Sequence, residues 1–173
     1  MILGRLLTRA PGAAPPRSLL ASAIAQSRQP ALYERMGAPD TVEGRFEMLN
    51  LHVILVLDRL AGEATAADAR QEMFDAYMSY LDGALREMAV GDLSVGKRMR
   101  ALAEAFYGRA KACDRAFSSF PATDQLQAAL GRTCLEGRGD PAALAAYVAE
   151  CRACLAGQPV AALLAGCPRW PAP

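Results

Sequence analysis

Histidine occurs once in this chain, at His52, and aromatic residues make up only 6% of it. With one imidazole, no Cys-His or Ser-His-Asp arrangement exists beyond that single ring. No pair of carboxylates sits alone in an apolar stretch, so general acid–base chemistry lacks a candidate. Five cysteines form an odd set with no export signal, which excludes a disulfide scaffold and points to a reducing compartment. Long apolar runs are missing too. Met48 to Leu57 is uncharged for only ten residues, half of the roughly 20 that a bilayer crossing requires. The uncharged stretch Ala153–Pro168 is broken by Gly157, Pro159, Gly166 and Pro168. Basic and acidic residues nearly balance, 19 against 18, which excludes a general nucleic-acid polyelectrolyte.

Alanine is abundant, with 36 in 173 residues. It favours helix because it loses no side-chain entropy there. The 17 arginines against 2 lysines fit a GC-rich coding bias. Charge is unevenly distributed: residues 1–33 carry Arg5, Arg9, Arg17 and Arg28 with no acid, and the remainder is net acidic. In the first nine residues Ile2, Leu3, Leu6 and Leu7 fall on one helical face. This start reads as a mitochondrial transit peptide, a basic arm for anionic lipid or RNA, or a frayed terminus.

Hydrophobic spacing predicts a single compact all-α domain of about six to eight helices, with a short basic N-terminal tail. Residues 1–17 form the tail, with a non-helical linker at 10–17. Residues 18–167 form the helical domain, and 168–173 an irregular end. Ser18 is expected to cap a first helix running to about Arg28, and Pro30 to open a short second one. After a turn at Gly37–Thr41, capped by Asp40 or Thr41, a central helix runs from Val42 to Leu60. Its run Val53–Leu57 has strand-like content, but the flanks keep the helical period. A long helix follows from Ala66 to Met88, with Phe74, Tyr77, Met78, Leu81, Leu85 and Met88 as its apolar stripe. Ser94 or Asp92 should cap the next helix, whose core positions are Met99, Leu102, Ala103, Phe106, Ala110, Cys113 and Phe117. Asp124–Leu135, Pro141–Leu155 and Pro159–Leu164 complete the helices.

Gly91-Asp-Leu-Ser-Val-Gly96-Lys97 imitates a phosphate-binding loop. Arg98 stands where a magnesium-holding Ser or Thr belongs, and the preceding segment reads as helix rather than strand. A helix–turn–helix corner is the better reading. Cys151-x-x-Cys154 places two thiols on one helical face, and Cys134 and Cys167 could complete four ligands. That makes a zinc or redox protein the rival reading to apolar packing. His52 lies seven residues from both Arg45 and Arg59, so the three share one helix edge. The edge reads either as a solvated flank or as a basic strip for a partner's carboxylate. Arg86, Glu87, Asp92, Lys97 and Arg98 crowd the interhelical corner, either as caps or as a docking surface.

Three segments then identify a resemblance: Gln29–Tyr33, Pro39–Glu47 continuing to Leu51-His52, and Leu85–Met99 with Ala105–Arg109. In order and spacing they resemble the ubiquinol–cytochrome c chaperone family, over about residues 19–117, with 118–167 divergent. The resemblance implies a non-enzymatic, all-helical assembly factor for respiratory complex III, with newly made cytochrome b as client and no cofactor. It also implies a small partner protein and ribosome contact in mitochondrial members, and no specific nucleic acid. A chain this short resembles an alphaproteobacterial member, peripheral at the cytoplasmic face of the inner membrane; mitochondrial members work on the matrix side. Since Leu19–Tyr33 resembles family sequence, removal as a transit segment is disfavoured. Asp40, Thr41, Arg45, His52, Arg86, Glu87, Asp92, Lys97, Arg98 and Arg109 fall on the family's polar motif positions. With Arg59 from the helix edge, they are the client- or partner-binding candidates. Gly44, Gly91 and Gly108 fit backbone geometry or close helix approach. Ala89 and Cys113 depart from the family pattern.

Overall fold

A computed structural model describes residues 15–88, 92–165 and 168–173. The amphipathic start at 1–9, Ala89, Gly91 and Cys167 lie outside the described residues. Among those described, the chain forms eight α-helices and no strand. They are α1 Pro15–Ser27, α2 Pro30–Glu34, α3 Val42–Ala61, α4 Ala67–Glu87, α5 Asp92–Phe117, α6 Asp124–Thr133, α7 Pro141–Ala156 and α8 Val160–Leu164.

Helix α3 occupies the centre, with α1, α4, α5 and α7 packed around it. That position explains its sequence. Met48, Leu51, Val53, Ile54, Leu55 and Val56 are all buried, so the apolar surface runs round the helix instead of along one stripe. The strand-like content of Val53–Leu57 reflects burial on every side. Thr41 caps α3 through its Oγ1, which accepts from the Gly44 backbone N at 3.0 Å. Asp140 caps α7 through the Ala142 N at 2.8 Å, ahead of Pro141.

Boundaries depart from expectation in three places. Helix α1 opens at Pro15, ahead of Ser18, because first-turn prolines need no N–H donor. Ser94 lies inside α5, which already begins at Asp92, so it is not the cap. On α4, Met88 is 59% exposed whereas Met73 is fully buried, so the stripe ends one turn earlier than its period suggested.

The last six residues are not helical, yet they are firmly held. Trp170 Nε1 donates to Ser22 Oγ at 3.0 Å, and Gln26 Nε2 donates to the Pro171 carbonyl at 3.0 Å. Buried Gln158 clasps Arg169 from both sides, accepting from its N at 2.7 Å and donating to its O at 2.9 Å. The irregular end is therefore part of the packed body.

Candidate binding groove

The loop before α3 is built tightly. Gly37, at φ +81°, turns the chain into it. A Cβ at Gly44 would stand 2.0 Å from the Pro39 carbonyl oxygen, so the family-motif glycine is required by close backbone approach. Gly108 has nothing within 4 Å of a built Cβ, so the close-approach explanation fails there. Arg45 pairs with Asp40 at 2.6 Å, and this guanidinium holds the Asp40 carboxyl below the usual carboxylate range. The Arg45 guanidinium also lies 5.8 Å from the Tyr33 ring centre, and Tyr33 donates to the Ser27 carbonyl at 2.6 Å. These contacts tie the entry of α3 to the end of α1.

Beside this junction lies an apolar groove of about 370 Å³ between α1, α3, α4 and α5. Ile24, Phe46, Leu49, Leu81, Leu85 and Leu102 line it. Val42 and Met88, 62% and 59% exposed, are also part of its lining. Arg28, Glu43 and Arg45 add charge. Arg28 Nη2 donates to the Tyr80 hydroxyl at 3.1 Å. Among the described residues neither Arg28 nor Glu43 has an ion-pair partner. From Tyr80 to Met88, the cap of α4, the groove follows the helix over nine residues, about 12 Å or two turns. A second cavity of about 340 Å³ lies further along α3, α4 and α5, lined by Phe74, Phe106 and Tyr107 with Arg70 and Asp114.

The candidate residues separate into three groups. Asp40, Thr41 and Arg45 build the start of α3, and of the three Arg45 lines the groove. Arg86, Glu87, Lys97 and Arg98 are exposed on the facing ends of α4 and α5, with Arg86 held 2.7 Å from Asp82. The Asp92 side chain lies outside what is described. His52, Arg59 and Arg109 stand inside the fold's own contacts.

The basic strip along α3 is therefore corrected. Its seven-residue spacing holds, but α7 and the C-terminal end cover it beyond Arg45. His52 is fully buried, with Nδ1 2.7 Å from the Met48 carbonyl and Nε2 2.8 Å from the Tyr147 hydroxyl. Trp170 meets its ring edge-on at 5.4 Å. Burial lowers the imidazole to a pKa of about 4, the Met48 carbonyl opposing this, so it is neutral at pH 7. Arg59 donates to the carbonyls of Leu155 and Gln158, each at 3.1 Å. Both residues stitch α3 to the C-terminal third. Arg109 grips the Glu47 carboxylate with two guanidinium N–H groups, joining α5 to α3.

Of the four cysteines of the alternative reading, Cys134, Cys151 and Cys154 are described. Cys134 and Cys151 are buried, and burial pushes each thiol up to about 12. Cys154 is half-buried with Sγ 3.4 Å from the Arg169 carbonyl. Among the described residues no three His, Cys, Asp or Glu side chains gather as a metal cluster.

Sequence reasoning missed the groove itself. Its floor residues resemble ordinary core, and Arg28 arrives from the turn that follows α1. Val42 gives no separate signal, because it continues the helical spacing of Phe46, Leu49 and Val53 into the first turn of α3, where the structure leaves it exposed.

Fold and groove together define a class: an all-helical protein with a charged-rimmed apolar groove formed where several helices meet. The chain belongs to the ubiquinol-cytochrome C chaperone family, whose profile matches residues 34–170. The family match thus continues through the stretch read as divergent. A solved structure, the crystal structure of the Cbp3 homolog from Brucella abortus, is 37% identical with a TM-score of 0.81. The likeness covers 92% of this chain and 90% of that one. No curated protein sequence matches the chain.

Proposed function

We propose that this protein is a non-enzymatic assembly chaperone that holds newly made cytochrome b through the groove between α1, α3, α4 and α5. One observation carries the reading. Two motif segments about forty residues apart, Pro39–Glu47 and Leu85–Met99, contribute Val42, Phe46, Leu85 and Met88 to the same apolar surface. Exposed apolar side chains inside a concave surface cost solvation unless a partner covers them. The groove's length suits about two turns of an apolar helix, as a membrane-protein client would offer before assembly. Arg28 and Glu43 suit a client segment carrying one acid and one base.

No helix of the described residues is long and apolar enough to cross a membrane. We place the protein peripherally at the cytoplasmic face of the inner membrane, where an emerging client segment is met. A small partner subunit and ribosome contact follow from the family resemblance. The exposed corner carrying Arg86, Glu87, Lys97 and Arg98 is the surface proposed for them.

The test is site-specific photo-crosslinking from Val42 and Met88 in respiring cells, with Met88→Glu as the partner variant. Cytochrome b should be captured at both positions, and Met88→Glu should retain its melting temperature while losing capture. Undiminished capture by Met88→Glu, or normal complex III after gene deletion, would remove this reading.

A further inference from the structure

Between α3, α5 and α6 lies a small cavity of about 20 Å³ that belongs neither to the groove nor to the second cavity. Glu47 and Asn50 face it from α3, Cys113 from α5, and Thr133 and Cys134 from the end of α6. Asn50 is 1% exposed. Its Oδ1 accepts from the Tyr77 hydroxyl, but its Nδ2 has no hydrogen-bond partner among the described residues. A buried amide nitrogen in that state departs from the near-universal pairing of interior polar groups.

The chemistry around the cavity supplies what a small polar guest needs. The Glu47 carboxylate uses two of its roughly four acceptor positions on Arg109, leaving others free. The Thr133 hydroxyl is already committed to the Ala129 carbonyl at 3.0 Å. Burial pushes the Cys134 thiol up to about 12, so it keeps its proton and stays a donor. The volume admits one water and no larger guest, since a single water needs roughly 10–15 Å³ of such space. An ordered interior water typically makes about three hydrogen bonds. Asn50 Nδ2 and the Cys134 thiol are donors and the Glu47 carboxylate an acceptor for a guest of that size.

We propose that this cavity is a binding site for one ordered water bridging Asn50 to the Glu47 carboxylate and, through the Cys134 thiol, tying α3 to the end of α6. The bridge gives the orphaned amide its partner. It also adds a hydrogen bond to the Glu47 carboxylate that Arg109, itself part of the cavity lining, already grips, which makes Asn50 a positioning residue for that ion pair.

A high-resolution crystal structure of the full chain, alongside Asn50→Leu, tests this. A density peak within hydrogen-bond reach of both Asn50 Nδ2 and a Glu47 oxygen is expected, and it should vanish in Asn50→Leu. A cavity without that peak, or an Asn50 amide bonded directly to a protein acceptor, overturns the proposal. Should Asn50→Leu not fold, nuclear Overhauser transfer from long-lived water to the wild-type Asn50 side-chain amide decides the matter. A cross-peak sustains the site, and its absence at an assigned amide refutes it.

Discussion

Replacing Gly44 with alanine should destabilise the protein even though alanine is the better helix former. The substitution gains about 0.5–1 kcal/mol of backbone entropy in a helix. Against this, the new Cβ would sit 2.0 Å from the Pro39 carbonyl oxygen and 2.9 Å from its carbon. An ordinary C···O approach is about 3.3 Å, so the backbone at Pro39 must retreat by about 1 Å. No rotamer relieves the overlap, because both partners are fixed to backbone. Overpacking of this kind costs about 1–3 kcal/mol. The retreat also disturbs Thr41, whose cap on the Gly44 N is worth about 1 kcal/mol. The net loss is about 2 kcal/mol, a fall of about 4–8 °C in melting temperature at this chain length. Gly108→Ala is the control: with nothing within 4 Å of its Cβ, it should raise stability by about 0.5–1 kcal/mol. Thermal melts followed by far-UV circular dichroism read both. Gly44→Ala melting at or above the wild type would refute the close-approach argument, and a destabilising Gly108→Ala would refute the distinction between the two glycines.

Burial of neutral His52 makes stability depend on acidity. Its folded pKa of about 4 lies below the ordinary 6.5, so the unfolded chain takes up a proton that the folded one refuses. Stability from this group is intact above about pH 6.5 and declines towards pH 4, by about 3 kcal/mol in total. Urea unfolding of wild type and His52→Gln across that range should show the wild type losing more; parallel curves would count against it. Thiol reactivity should follow burial: among the described cysteines, Cys154 should be alkylated first in the native protein. Cys113, pushed up to about 11, and Cys134 and Cys151, pushed up to about 12, should react only after denaturation. Peptide mass mapping reads the order, and early labelling of Cys134 would contradict it.

How much was legible in advance varies from residue to residue. The helices of α3, α4 and α5 follow from local periodicity, because a 3.6-residue repeat is written in the residues themselves. Thr41 as a cap and Asp140-Pro141 as a helix start are equally local. His52 shows the limit. Its position on an edge with Arg45 and Arg59 was readable, but its burial was not, because Tyr147 and Trp170 come from about a hundred residues away. Arg109 likewise reads as a motif residue until Glu47, 62 positions earlier, becomes its partner. The groove depends on four helices meeting, and no segment contains it.

Composition and spacing by themselves determined an all-helical chain with one histidine and little material for catalysis, and the family segments followed from order and spacing. Tertiary packing alone decided which of those polar residues face outward. Helix period sets the direction of a side chain relative to its own axis, whereas exposure depends on what the rest of the chain lays against that face. Arg45 is left at the surface, and His52, two turns further along the same edge, is sealed beneath the C-terminal end.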